Sequence, residues 1–155
     1  METLPKDLST KIALELSPPD LINFCSVSRK NNICSSENKD FWRMKIQRDY
    51  PKVFNYYKRR GIVLVNPKNT YIRKFMEVSV IIENFIAENF KHLNNDQKNE
   101  LFRKLYKIYH TDDINLGYRT LGSVIKEYVL NEEDRDIIMN NLMIKLVNID
   151  KMYDY

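Results

Sequence analysis

The chain is predicted to be all-α. Apolar residues recur at three- and four-residue spacing along most of its 155 residues, which is the signature of one-sided helices. Only three glycines occur, too few for the tight turns of an all-β fold or for a glycine-rich phosphate loop. Prolines and short polar residues stand where the periodic stretches begin, as helix starts require.

The first fifty residues hold three short helices. Pro5 has no backbone N–H to lose in a first helical turn, so a helix can start there with Leu4 left outside as an apolar anchor. Leu8, Ile12 and Leu16 follow at four-residue spacing, with Ala13 beside them. Pro18 forces Ser17 out of the helical region, and Ser17-Pro18-Pro19-Asp20 reads as a capping-box variant that opens the second helix. Leu21, Phe24, Cys25 and Val27 form its apolar part, and Asn31-Asn32 is a break. A third helix runs from about Asn38 and carries Phe41, Trp42, Ile46 and Tyr50 until Pro51 stops it. Three helices of this size cannot bury all of these groups by themselves, so some apolar surface is expected to meet another protein.

The order Leu4-Pro5, Leu8, Ile12, Leu16, Asp20-Leu21, Val27-Ser28-Arg29 and Phe41-Trp42 resembles an F-box over the first third of the chain. Family members dock on Skp1, the adaptor that links them to a cullin and RING subunit for ubiquitin transfer. The resemblance implies an F-box over 1–50 packed on a helical bundle over 51–155. It implies a Skp1 contact through Leu4, Pro5, Leu8, Ile12, Leu16, Pro19, Leu21, Val27 and Trp42, with the C-terminal region capturing a protein target. One departure stands out: the family carries an aromatic shortly after its Val-Ser-basic step, and here Lys30-Asn31-Asn32 passes without one. A second reading keeps the fold but makes the protein a structural or scaffolding part without ubiquitin machinery. The usage, rich in Asn, Lys, Ile and Tyr, looks like that of large DNA viruses or AT-rich protists.

Beyond Pro51, Val53, Phe54, Tyr56 and Tyr57 make a short helix that Gly61 breaks. Ile62-Val63-Leu64-Val65 is apolar and largely β-branched, but no second such segment is found to pair with it, so a buried extended connector is expected. The longest helix opens at Asn69 or Thr70 and runs to about Phe90, with Tyr71, Phe75, Val78, Ile82, Phe85 and Ile86 inward. Asn94 caps the next, which carries Leu101, Phe102, Leu105, Tyr106, Ile108 and Tyr109 to His110. Thr111 to Gly117 reads as a polar loop, and Ile114 and Leu116 stand where a calcium loop needs oxygen ligands. A helix follows over Tyr118 to Leu130, in which Gly122 allows a close neighbour. Asn131 caps the last, which Ile137, Ile138, Leu142, Met143, Leu146 and Ile149 continue, with a frayed tail from Asp150.

Several function classes are excluded as expectations. The sequence shows no constellation of an enzyme, and the pairs Asp112-Asp113 and Glu132-Glu133 read as a loop and a helix cap. Cys25 and Cys34 read as reduced packing residues, too few for a zinc site, so no metal or cofactor is expected. The +4 net charge is spread over interspersed acids and bases, and Lys58-Arg59-Arg60 is too short a run to predict a nucleic-acid partner. No apolar run spans a membrane and no secretory leader precedes Leu4, which places the protein in cytoplasm or nucleus.

Overall fold

Ser17 separates the first two helices by the chemistry its sequence predicts. Its hydroxyl oxygen accepts from the Asp20 N–H at 3.4 Å and donates to Asp20 Oδ2 at 3.0 Å, closing the first turn of a helix in which Pro18 and Pro19 have no N–H to satisfy. In a computed structural model that describes residues 6–27, 33–110, 114–128 and 131–154, α1 spans Lys6–Glu15 and α2 Pro18–Val27. Then follow α3 (Lys39–Asp49), α4 (Pro51–Arg59), α5 (Pro67–Asn89), α6 (Asn95–Tyr109), α7 (Ile114–Lys126) and α8 (Glu132–Asn148). The described residues are all-helical and contain no strand. Leu4 and Pro5, the Ser28-Arg29 step with Lys30-Asn31-Asn32, Asp112-Asp113 and Leu130 lie outside them.

Two compact units make up the chain, one of Met1–Phe75 with Tyr153–Tyr155 and one of Met76–Met152. The expected boundary at Pro51 does not coincide with this division. Tyr50 is at once the C-cap of α3 and the N-cap of α4, so the chain turns there without a linker, and Pro51 serves as the first residue of α4. The division falls instead within α5.

In the first unit, α3 supplies the centre. Trp42 is fully buried, its ring packs against Phe41 and Tyr71 with centroids 5.1 and 5.3 Å away, and its indole N–H donates to Ser35 O at 3.1 Å. An indole buried in this way needs such an acceptor. Tyr50 completes the cluster, 5.1 Å from Tyr71.

Cys25 and Cys34 are not reduced packing residues: a disulfide joins them. Their Cα atoms are 5.6 Å apart, within bridging range, because the chain returns from the end of α2 to the turn that precedes α3. Sequence spacing alone shows no such proximity.

Gly61 ends α4 as expected, with φ of +65°. The Ile62 N–H donates to Tyr57 O at 3.0 Å and the Gly61 N–H to Lys58 O at 3.2 Å, the two bonds of a Schellman motif, for which a left-handed glycine is the favoured residue. Asn66 then caps α5, its side-chain oxygen accepting from the Asn69 N–H at 3.2 Å. Between these two caps, Ile62–Val65 is a connector rather than a strand. It is not buried, however: both ends are fixed by helix caps, and only Leu64 reaches inward while Val63 and Val65 are exposed.

The tail is not frayed over its described residues. Lys151–Asp154 forms a 3-10 turn, and Tyr153 lies against Tyr56 with ring centroids 5.4 Å apart. Arg59 donates to Tyr153 O at 2.8 Å, and the Lys74 ammonium sits 4.9 Å from the Tyr153 ring centre. These contacts compensate the lost chain entropy of a terminus.

In the second unit, Asn94 makes a full capping box with Gln97, accepting from its N–H at 2.8 Å while Gln97 Oε1 accepts from the Asn94 N–H at 3.0 Å. The expected loop through Gly117 is shorter than predicted, since α7 already begins at Ile114. Gly117 is buried within the helix, and one glycine costs only about 1 kcal/mol there. A Cβ at Gly122 would stand 3.4 Å from Met139 Cε, so the end of the Met139 side chain of α8 packs over the glycine. In α8 the inward residues are Met139, Leu142 and Leu146, while Ile137 faces out.

Tyr109 donates to Asp150 Oδ2 at 2.8 Å, which ties α6 to the end of the chain segment after α8. Burial first, then the Asp150 carboxylate beside it, pushes the Tyr109 phenol well above its usual 10.0. The folded state therefore keeps a proton that the unfolded state releases, and the stabilisation is complete below pH 10 and falls as pH rises beyond it. Tyr109→Phe is expected to cost about 1.5 kcal/mol at neutral pH and to flatten the alkaline fall of stability, read from urea unfolding between pH 8 and about 11. An unchanged pH profile would remove this role.

Candidate protein-docking site

α1 inverts the expected order of sizes. Its buried side is made of small residues, Ser9 and Ala13, while Leu8 and Ile12, one helical turn apart, are 45% and 39% exposed. Small side chains let a helix backbone approach its neighbour closely, and here that neighbour is α3. The large apolar residues are consequently left on the outer side. Leu16, just past the helix, is half-buried. At the end of α2, Val27 is 80% exposed.

The remaining positions that the resemblance assigns to a partner lie inside. Pro19, Leu21 and Trp42 are buried, so their side chains hold α2 and α3 in place rather than offer a surface. Leu4 and Pro5 are outside the described residues. The structure therefore brings Leu8 and Ile12 together as one open apolar face and separates the interior residues from it.

What fixes the angle of α1 is a residue that sequence reasoning missed. Lys45, on α3, is fully buried and its ammonium donates to Leu16 O at 2.7 Å and Leu14 O at 3.2 Å. Carbonyls at the end of a helix lack intrahelical partners, so the positive charge both satisfies them and complements the negative end of the helix dipole. Asp49 Oδ2 stands 2.8 Å from the same nitrogen and accepts from the Tyr71 hydroxyl at 2.5 Å. All three ammonium donors are thus used. Desolvation lowers the Lys45 pKa from 10.5, against the opposing pull of Asp49. A lysine so fully engaged is a structural clamp rather than a nucleophile. Lys45 and Asp49 are four residues apart in a helix, a spacing that reads in sequence as an ordinary surface pair.

At the surface, Arg48 and Glu15 add an ion pair of 2.7 Å between α3 and the end of α1, though both are well exposed and such pairs contribute little. Among the described residues, no group of three or more His, Cys, Asp or Glu is arranged to hold a metal. None of the described helices is long and apolar enough to cross a membrane. Among the described residues this face offers apolar contact through Leu8 and Ile12, held in orientation by a buried ionic clamp.

Comparison with protein-family models, with curated proteins and with solved structures returned no match.

Proposed function

We propose that the protein is an F-box-type adaptor, which docks through α1 on a Skp1-like protein and brings a target protein to a cullin-RING ubiquitin ligase. The observation that carries this reading is the exposure of Leu8 and Ile12 on a helix whose inner side is small and whose end is clamped by Lys45. An aliphatic side chain moved from water into an interface gains about 1.5–3 kcal/mol, and a pre-oriented pair of them is a suitable anchor. The leucine-proline start and the closing Phe41-Trp42 pair of the family pattern support it from the sequence.

Purified full-length protein should retain Skp1 on a column, and Leu8→Glu with Ile12→Glu should abolish that retention. Both positions point outward, so helicity measured by circular dichroism should be unchanged. Equal retention by the double variant would overturn the assignment of the face.

The Cys25–Cys34 disulfide favours a second reading, a scaffolding part without ubiquitin machinery. Stable disulfides are at home in oxidising surroundings and rare in the reducing cytosol where Skp1 and cullins act. Self-association of the purified chain, with no retention of Skp1, supports this alternative.

A further inference from the structure

Helix α8 is apolar on two opposite sides. Met139, Leu142 and Leu146 are buried on its inner side, and α7 is a helix it packs against. Ile137 and Ile144, 60% and 58% exposed, stand two turns apart on the side directly opposite. The exposed amides of Asn140 and Asn141 lie between them, and Val147 flanks the stripe near its end. One apolar stripe suffices to hold a surface helix on its core, and α8 carries a second one that is open to water.

The charges of α8 are sorted by end. Glu132, Glu133, Asp134 and Asp136 occupy its beginning, with Arg135 half-buried among them, while Lys145 stands in the last turn and Lys151 just beyond. All of these acids and both lysines are exposed. Asp134 and Lys145 are three turns apart, so they fall on the same flank of the open stripe, one at each end. Neither takes part in an ion pair among the described residues.

We propose that the outer side of α8 pairs antiparallel with the same side of a second copy of the chain. A two-fold axis between Asn140 and Asn141 sets Ile137 of each copy opposite Ile144 of the other. The same axis lays each flank beside the identical flank running in reverse. Asp134 then comes within about 3 Å, along the helix, of the level of Lys145 in the other copy, which a lysine side chain spans. A parallel pair would gather both sets of acids at one end and align the two helix dipoles, whereas the antiparallel pair opposes both. Asn140 and Asn141 meet at the axis, and a slip of register would set their amides against isoleucine. A different protein would have to present an acidic end, two isoleucines around an amide and a lysine in reverse order, which this chain already supplies. An anionic lipid surface is disfavoured by the acids at the head of the stripe. The side lies on another helix than Leu8 and Ile12, and the inference does not rest on Skp1 binding.

The test is sedimentation of the full chain from about 10 to about 500 μM, because a single helix pair buries less than the roughly 1,600 Å² of a standard interface and holds a weak dimer. The wild-type chain should pass from monomer to dimer across this range. Ile144→Lys, at an exposed position, should keep its helicity by circular dichroism and stay monomeric. Lys145→Glu should weaken dimerisation about tenfold, and adding Asp134→Lys should restore it, since the two changes exchange the ends of one contact. A monomer at the highest concentration overturns the proposal, whatever else that side binds. So does a dimer that Ile144→Lys leaves intact, or a loss in Lys145→Glu that Asp134→Lys does not restore. Skp1 retention by Ile144→Lys is read separately, which keeps failure of the dimer apart from failure of docking through Leu8 and Ile12.

Discussion

Asp49→Ala should destabilise the first unit by about 3–5 kcal/mol, because it leaves the Lys45 ammonium buried without its counter-charge. The loss exceeds that of an ordinary surface pair for a geometric reason. Lys45 is fully buried and cannot swing into water without releasing Leu14 O and Leu16 O at the end of α1. The Tyr71 hydroxyl loses its acceptor at the same time. Lys45→Met in the Asp49→Ala background should recover part of the loss by removing the unpaired charge. It cannot recover all of it, since the two carbonyls stay uncapped. A double-mutant cycle by urea unfolding measures the coupling, and a loss below about 0.5 kcal/mol for Asp49→Ala would place this pair among neutral surface contacts.

The same clamp predicts a pH dependence. Burial holds the Lys45 pKa below 10.5 in the folded protein, so in the window beneath 10.5 the unfolded chain binds more protons than the folded one. Stability contributed by this group therefore rises with pH across that window. Lys45→Met should remove that rise. In Asp49→Ala the depression deepens, because the carboxylate that opposed it is gone, and the defect should be smaller at pH 10 than at pH 7.

Replacing both cysteines by alanine should cost about 2.5 kcal/mol, the loop-closure value for a bridge across a sequence separation of 9. The consequence should be local as well as global. The bridge anchors the turn in which Ile33 is buried, the Asn38 amide donates to Ile33 O at 3.0 Å and Ser35 O accepts from Trp42. Freed from α2, that turn should let water toward the indole, so the emission of the chain's one tryptophan should shift to the red. Dithiothreitol should lower the melting temperature of the wild-type chain and leave the double variant unaffected. Alkylation of native protein before reduction should label neither cysteine. Full labelling at that stage, with no response to dithiothreitol, would show that the thiols pack without a bond.

These two expectations rest on contacts that helical periodicity does not show, Lys45 with the end of α1 and Cys25 with Cys34, and that is where sequence reasoning stopped. Helix identity was legible because it rests on local chemistry. Ser17 before two prolines, Gly61 after a basic turn and Asn94 ahead of Gln97 each act within one helical turn, and each is found at the cap it predicts. The apolar rhythm of Tyr71, Val78, Ile82, Phe85 and Ile86 in α5 likewise marks buried positions. Periodicity identifies a stripe but not which neighbour covers it. In α1 the Leu8 and Ile12 stripe reads as apolar, and only the approach of α3 to Ser9 and Ala13 leaves it open.

By itself, then, the sequence determined the all-α class, the caps at Ser17, Gly61 and Asn94, and most of the residues that fill the core, because caps and helical periods are decided by neighbours within a few residues, while α5 and α7 begin earlier than predicted, at Pro67 and Ile114. The tertiary structure decided that Lys45 is a buried clamp, that Cys25 and Cys34 are bonded, that Ile62–Val65 is open to water and that Tyr153 packs back on α4. The clamp and the docking of Tyr153 depend on groups distant in the chain meeting in space, the disulfide on a turn that brings together two cysteines nine residues apart, and the open connector on the caps that hold its ends.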